Sequence, residues 1–415
     1  MQLPLTGVRI IEFGFLVAGP FGPRLLGELG AEIIKVESVR RMDGYRPGGG
    51  FDVPSAQATL NRERSFTEFN RNKLSLALNL TTSQGQALMR RLVRISDVVV
   101  ENYSAGVLER WGLGWDVLSR LNPGLILVDL QGMGFRGPHA SFVTWGPSLM
   151  AYSGMTHLWT REDAPEPVGS QTAHPDYVAG IHCALAVLGA LNQRLRTGRG
   201  QRIEVAQIEG AASLLGPVYM DALVNDAKPK RLGNRSPYFA PHGCYPCRAR
   251  DDHPTSGGDR WCVIAVTSEG EWESFCRALG DPPWCREPRF ADLLSRYEQR
   301  DELDVRVAEW TRQRSPQEVM ETLQAAGVPA AAVQDGRDLN EDPHLRQRGY
   351  LLPLAHPQFP RDVVYPGLSI RLSASPGSVR RPAPALGHDN AYIAGELLGL
   401  AEEEMAALVE AEVLV

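Results

Sequence analysis

The chain has 415 residues, 43% of them hydrophobic and 22% charged, with a formal net charge of −6. That length exceeds one average domain and suggests two, and the composition is that of a folded core, which excludes an intrinsically disordered chain. The negative balance and the lack of any dense Lys/Arg run argue against nucleic acid as a partner.

The opening, MQLPLTGVRIIEF, has no basic segment leading into a long apolar core, so no signal peptide is expected. VRIIEF reads as a short β-branched strand, PFGPRLLGELG as a helix and AEIIKVE as the next strand. The Gly-, Arg- and Pro-rich loop SVRRMDGYRPGGG follows. NRNKLSLALNL alternates like a strand, and SQGQALMRRLVRISD has a Ser start signal and an apolar helical face. VVVEN is a strand of the buried type, VLERWGLGWDVLSRLNPG reads as two short helices, and LILVDLQG is another strand. This alternation predicts an α/β fold with a parallel, doubly wound sheet.

An apolar helix starts at Asp176. Its most apolar part, Val178 to Leu191, broken only by His182, is short for a membrane span, so no membrane partner is expected. QRIEVAQIEGAASLL reads as strand then helix. We expect residues 1–224 to form the first part of a large domain and 225–330 a smaller α+β domain. Residues 331–415 would return to the large domain and end in an amphipathic helix, NAYIAGELLGLAEEEMAALVEA.

Several patterns carry possible chemistry. GMGFRG, Gly132 to Gly137, matches G-x-G-x-x-G and follows a strand. A dinucleotide site would need a helix to begin inside it, and Pro138, His139 and Ala140 show no helical period. Cys244 and Cys247 form a C-x-x-C pair, but a structural zinc wants a second pair. The other cysteines are Cys183, Cys262, Cys276 and Cys285, and none supplies it. Free thiols in a reducing cytoplasm fit best. Arg40, Arg41, Arg71, Lys73 and Arg110 lie in or beside predicted loops. Each alone reads as a solvated residue; together, near strand ends, they suit a polyanion such as a nucleotide phosphate.

Asp176 stands at the mouth of the apolar helix, after Pro175. An Asp in a first turn is stabilised by the helix dipole, typically by ~0.3–1 kcal/mol, so a structural role suffices to explain it. The same placement would hold a carboxylate ionised in apolar surroundings, as a carboxylate nucleophile requires. The two readings are compatible.

GVRIIEFGFLVAGPFGPRLLGELGAEIIKVE, FNRNKLSLALNL, ENYSAGVLERWGLGWDVLSRLNPGLILVDLQGMGFRGP, PDYVAGIHCALAVLGALNQRLRTGRGQ and GNRSPYFAPHGCYPC together resemble the family III CoA-transferases, which include formyl-CoA transferase and carnitine CoA-transferase. The resemblance covers nearly the whole chain. It implies a Rossmann-like large domain, an inserted small domain, and a homodimer of interlocked rings. It implies no permanently bound cofactor, with a coenzyme A thioester and a carboxylic acid for substrates and succinyl-CoA as a donor by family habit. Asp176 then matches the family's catalytic aspartate, which carries CoA as an aspartyl thioester.

The positions that match the family's CoA contacts are Val17, Ala18, Ser38, Leu78, Asn79, Thr81, Asn102, Tyr103, Ser104, Arg110, Val143, Thr144, Trp145 and Gly146. Several depart from the family. Val17 replaces a frequent Gln, Ser38 replaces an adenine-side Arg for which Arg40 and Arg41 are the candidate substitutes, and Trp145-Gly146 replaces a Tyr-Asp pair. Racemases related to the family place a catalytic His at the Trp145 position, so transfer is favoured over racemisation, although His174 lies nearby in sequence. A racemase on the same fold and a non-catalytic CoA-binding subunit of a heteromeric transferase are the alternatives. The loop RARDDHPTSGGD, at 248–259, together with Val17 and Trp145, suggests an acceptor bulkier than formate or oxalate.

Overall fold

The computed structural model describes residues 2–46, 64–161, 163–228, 230–250, 259–357, 359 and 362–414. It divides into two compact units: residues 1–154, 170–221 and 343–415 form the first, and 155–169 with 222–342 the second.

The first unit is built on six strands: β1 Arg9–Phe13, β2 Glu32–Glu37, β3 Lys73–Ala77, β4 Val98–Glu101, β5 Ile126–Asp129 and β6 Arg202–Glu204. They lie in the order β3-β2-β1-β4-β5-β6, and every neighbouring pair is parallel. Covered on both faces, the inner strands are near-continuous apolar runs, and Ile10, Ile33, Val98, Ile126 and Val128 are fully buried. The strand order reverses between β1 and β4. In such sheets a crevice opens beyond the carboxyl ends at that point.

Helices α1 Ala18–Glu28, α3 Gly146–Tyr152, α4 His174–Thr197 and α5 Gln207–Ser213 each contribute to the crevice, while α2 Ser83–Arg94 packs its apolar face against the sheet. α4 is longer than the apolar stretch isolated in the sequence. At 24 residues it is long and apolar enough to cross a membrane by length and composition. Its inner face, Ala179, Cys183, Val187 and Ala190, is buried in one cluster with Ile10, Leu26 and Val128.

The second unit holds an antiparallel sheet of β7 His242–Cys247, β8 Arg260–Ala265 and β9 Ala330–Ala332. Trp272, Phe275, Leu303, Val307 and Leu323 from its helices close the core. Cys244 is half-buried and Cys247 buried, as alternation along a strand requires, and all six cysteines are free. Among the described residues no cluster of three or more His, Cys, Asp or Glu side chains suits a metal. Residues 251–258 of the loop singled out above lie outside the described residues.

The chain end returns to β3, the sheet's edge strand. Asp389 Oδ2 accepts from the Ser75 amide at 2.8 Å, Asn390 Oδ1 from the Ala77 amide at 2.9 Å, and Leu414 forms a β-bridge with Leu78. These contacts cover an edge that would otherwise offer open backbone groups. The terminal segment is not the continuous helix that its apolar periodicity suggests. A π-helical turn, Tyr392–Leu397, ends before Gly399, and α6, Glu402–Glu410, starts afresh. Gly399 sits at φ +68°, in the left-handed region that stops a helix.

Candidate active site

A cavity of about 510 Å³ opens at the carboxyl ends of β1, β4 and β5. Its lining gathers Val17, Ala18, Asn102, Tyr103, Ser104, Val143, Thr144, Trp145, Gly146 and Asp176 from the positions predicted above. The turn after β1 supplies one wall. Leu16 holds φ +59°, an uncommon conformation for a side-chain-bearing residue and a form of stored strain found at functional turns. Asn102 fixes that turn: its Oδ1 accepts from the Phe15 amide at 2.8 Å and its Nδ2 donates to the Phe15 carbonyl at 3.0 Å.

Asp176 enters from the first turn of α4, where its amide donates to the Ala173 carbonyl at 3.0 Å. Burial pushes its carboxyl up to about 7, and burial is the sole cause. Burial therefore works against the helix start, which was expected to hold Asp176 charged. The dipole offers ~0.3–1 kcal/mol, whereas a shift of about three units reflects roughly 4 kcal/mol of lost solvation. Gly146 lies directly against the carboxylate: a Cβ there would stand 2.4 Å from Asp176 Oδ2 and 2.3 Å from the Ala173 Cβ. The position matching the family's Asp therefore has no room for any side chain. Trp145 stands at the rim, 46% exposed.

The sequence matches the family model CoA-transferase family III over residues 5–390. The chain belongs to that family. It is 34% identical to the probable CoA-transferase Rv1866 of Mycobacterium tuberculosis, over 99% of this chain, and spans about half (50%) of that relative's length. It is also 34% identical to the succinyl-CoA--D-citramalate CoA-transferase of Chloroflexus aurantiacus, over 98% of this chain and 96% of that one. A CAIB/BAIF family protein from Brucella suis superposes with a TM-score of 0.83 at 30% identity, covering 96% of this chain and 100% of the other. The GMGFRG stretch of this family III chain forms the turn after β5, and no helix begins until Gly146.

Five predicted contacts do not line the cavity of this CoA-transferase family member. Ser38 and Arg41 exchange backbone hydrogen bonds, and it is Arg41 that reaches the cavity, 5.2 Å from the Tyr103 ring. Leu78 and Asn79 bond the chain end, with the Asn79 amide donating to the Val413 carbonyl at 2.8 Å. Thr81 Oγ1 donates to Asn79 Oδ1 at 2.6 Å, and Arg110 is exposed. Arg40 pairs at the surface with Glu412, at 2.8 Å.

Arg71 and Lys73 are not solvated phosphate ligands either: both are fully buried. Arg71 pairs with Glu28 at 2.6 Å, and Lys73 pairs with Glu12 at 2.6 Å while donating to the Pro20 carbonyl at 3.0 Å. Burial lowers the Lys73 pKa to about 8. Lys35, equally buried, donates to the Gly14 carbonyl at 2.8 Å. The two lysines thus tie down both ends of the turn that walls the cavity.

Sequence reasoning missed Gln131 and Gln207, which line the cavity while 5% and 7% exposed. The available signal was an amide two or three residues beyond the end of each of two strands, in LVDLQG and IEVAQ.

Proposed function

We propose that this chain transfers coenzyme A from an acyl-CoA to a carboxylic acid, with Asp176 as the nucleophile. The observation that carries this reading is the isolation of Asp176. Among the described residues lining the cavity it is the only carboxylate, and no histidine or lysine accompanies it. Two-base proton exchange at an α-carbon needs a second base, and covalent transfer does not.

In this mechanism a carboxylate oxygen of Asp176 attacks the thioester carbonyl of the donor. The C–S bond breaks, CoA leaves as its thiolate, and a mixed anhydride links the acyl group to Asp176. The thiolate then attacks the aspartyl carbonyl, expelling the donor's carboxylate and leaving an aspartyl-CoA thioester. The acceptor carboxylate attacks that thioester, and the returning thiolate takes the new acyl group, which restores the Asp176 carboxylate. Thioester energy is kept throughout. Water would hydrolyse both intermediates, and the burial that raises the Asp176 pKa also limits water at the carboxyl.

The donor we propose is succinyl-CoA, by likeness to the Chloroflexus relative, whose name states that donor. The assembly we propose is an interlocked homodimer. Ile181, Leu185, Leu188 and Leu195 form an exposed apolar stripe on α4, and Leu214, Tyr219 and Met220 extend the exposed apolar surface nearby in the chain. A surface of that kind suits a partner copy. The test of the reaction is a transfer assay with succinyl-CoA and a panel of acids, read by mass spectrometry, for the wild type and Asp176→Ala. Product from the wild type alone supports the reading; normal turnover by a folded Asp176→Ala chain contradicts it.

A further inference from the structure

Among the described residues, two buried side-chain oxygens lining the cavity have no hydrogen-bond partner. Gln131 Oε1 and Gln207 Oε1 are buried and make no hydrogen bond. The two residues are neighbours at the carboxyl end of β5, where the Gln207 amide donates to the Gln131 carbonyl at 3.0 Å.

The orientation of each amide is fixed by what it touches. Gln131 Nε2 donates to Glu101 Oε1 at 2.5 Å and to the Tyr103 carbonyl at 3.4 Å. Gln207 Nε2 donates to the Leu130 carbonyl at 3.0 Å. Turning either amide over would set oxygen against a backbone carbonyl that can only accept. Glu101 is itself held in place. It lies in register with Asp129 on the next strand, shares a side-chain hydrogen bond with it, and accepts from the Tyr103 amide at 2.6 Å. Asp129 is in turn anchored by Arg202 at 2.7 Å.

A buried acceptor without a donor is costly, and native proteins rarely retain one without a use. Two of them in the cavity that Asp176 also lines define what a ligand must bring. A carboxylate, which only accepts, is repelled. An N–H or O–H group is welcomed. The pantetheine arm of an acyl-CoA carries two amide N–H groups, and a hydroxy acid carries an O–H.

We infer that Gln131 and Gln207 are substrate-positioning residues whose Oε1 atoms accept hydrogen bonds from N–H or O–H groups of a substrate bound at Asp176. The inference rests on the proposed transferase reading. It adds that the amide carbonyls select for donor groups, and that the Asp129–Glu101 pair sets the Gln131 amide.

The test uses the full-length chain with Gln131→Met and Gln207→Met. Substrates are succinyl-CoA with a 2-hydroxy dicarboxylic acid or its deoxy counterpart, and free coenzyme A is titrated by calorimetry. Each substitution should raise a KM roughly tenfold, the worth of one hydrogen bond, and leave kcat within about threefold. If the pantetheine amides are the donors, the KM for succinyl-CoA and the Kd for free coenzyme A rise with either acid. If the acid's hydroxyl is the donor, only the KM for the hydroxy acid rises. Folded variants with wild-type KM and Kd values throughout overturn the inference. Should a Met variant not fold, the Asn variant carries the same expectation, since it keeps an amide but withdraws the oxygen by one methylene. A wild type that binds coenzyme A but transfers nothing sinks the transferase reading; Kd values for free coenzyme A and for the hydroxy acid then test the glutamines, and values unchanged in both variants overturn the inference. A wild type that does neither overturns both.

Discussion

Replacing Asp176 by Asn should stabilise this protein while abolishing transfer, and the gain should depend on pH. Burial raises the Asp176 carboxyl from 3.8 to about 7. A folded pKa above the unfolded one means the native state binds its proton more tightly, so ionisation costs stability. The cost is absent below about pH 4, grows as pH rises, and is complete above about pH 7. Three units amount to about 4 kcal/mol. Asn has nearly the same shape and cannot ionise, so it escapes that cost. At pH 8 the Asn variant should exceed the wild type by up to about 4 kcal/mol, less whatever the buried amide itself costs. At pH 4 the two should be nearly equal, apart from that amide cost. Denaturant melts of both proteins at pH 4, 6 and 8 measure the difference directly. A difference that does not change with pH, or a wild type more stable at pH 8, refutes the reasoning.

The same shift sets the rate profile: kcat/KM for succinyl-CoA should climb with pH through about 7, where the carboxylate forms, rather than near 4. Gly146→Ala should cut kcat at least tenfold in a stopped assay, because its Cβ would fall 2.4 Å from Asp176 Oδ2. Lys73→Met removes one partner of a fully buried ion pair with Glu12 and should cost about 3 kcal/mol in a urea titration. Leu185→Glu places a charge on the exposed apolar stripe of α4 and, on the proposed homodimer reading, should lower the share of dimer formed on refolding, as measured by analytical ultracentrifugation.

Much of the first unit was legible because its strands are short apolar runs between turn signals. VRIIEF, AEIIKVE, VVVEN and LILVDLQG each contain a parallel strand. Their carboxyl ends located the cavity, and the resemblance pointed to Asp176, Gly146 and the turn at Val17. Four things were not legible. The burial of Arg71 and Lys73 depends on partners Glu28 and Glu12, which lie far off in sequence. The pairing of Leu78 and Asn79 with the chain end spans more than 300 residues. The sign of the Asp176 shift depended on weighing burial against the dipole, and only burial depth in three dimensions decides that. Gln131 and Gln207 went unnoticed because a single Gln after a strand is ordinary until its oxygen is found without a partner.

The central claim is that Asp176 carries coenzyme A covalently. Wild-type protein mixed with succinyl-CoA in the absence of an acceptor, quenched in acid within the first turnover and digested, should yield the Asp176 peptide heavier by one coenzyme A less one water. The Asp176→Asn chain should yield only the unmodified peptide. An unmodified Asp176 peptide from a wild type that turns over normally would contradict the account.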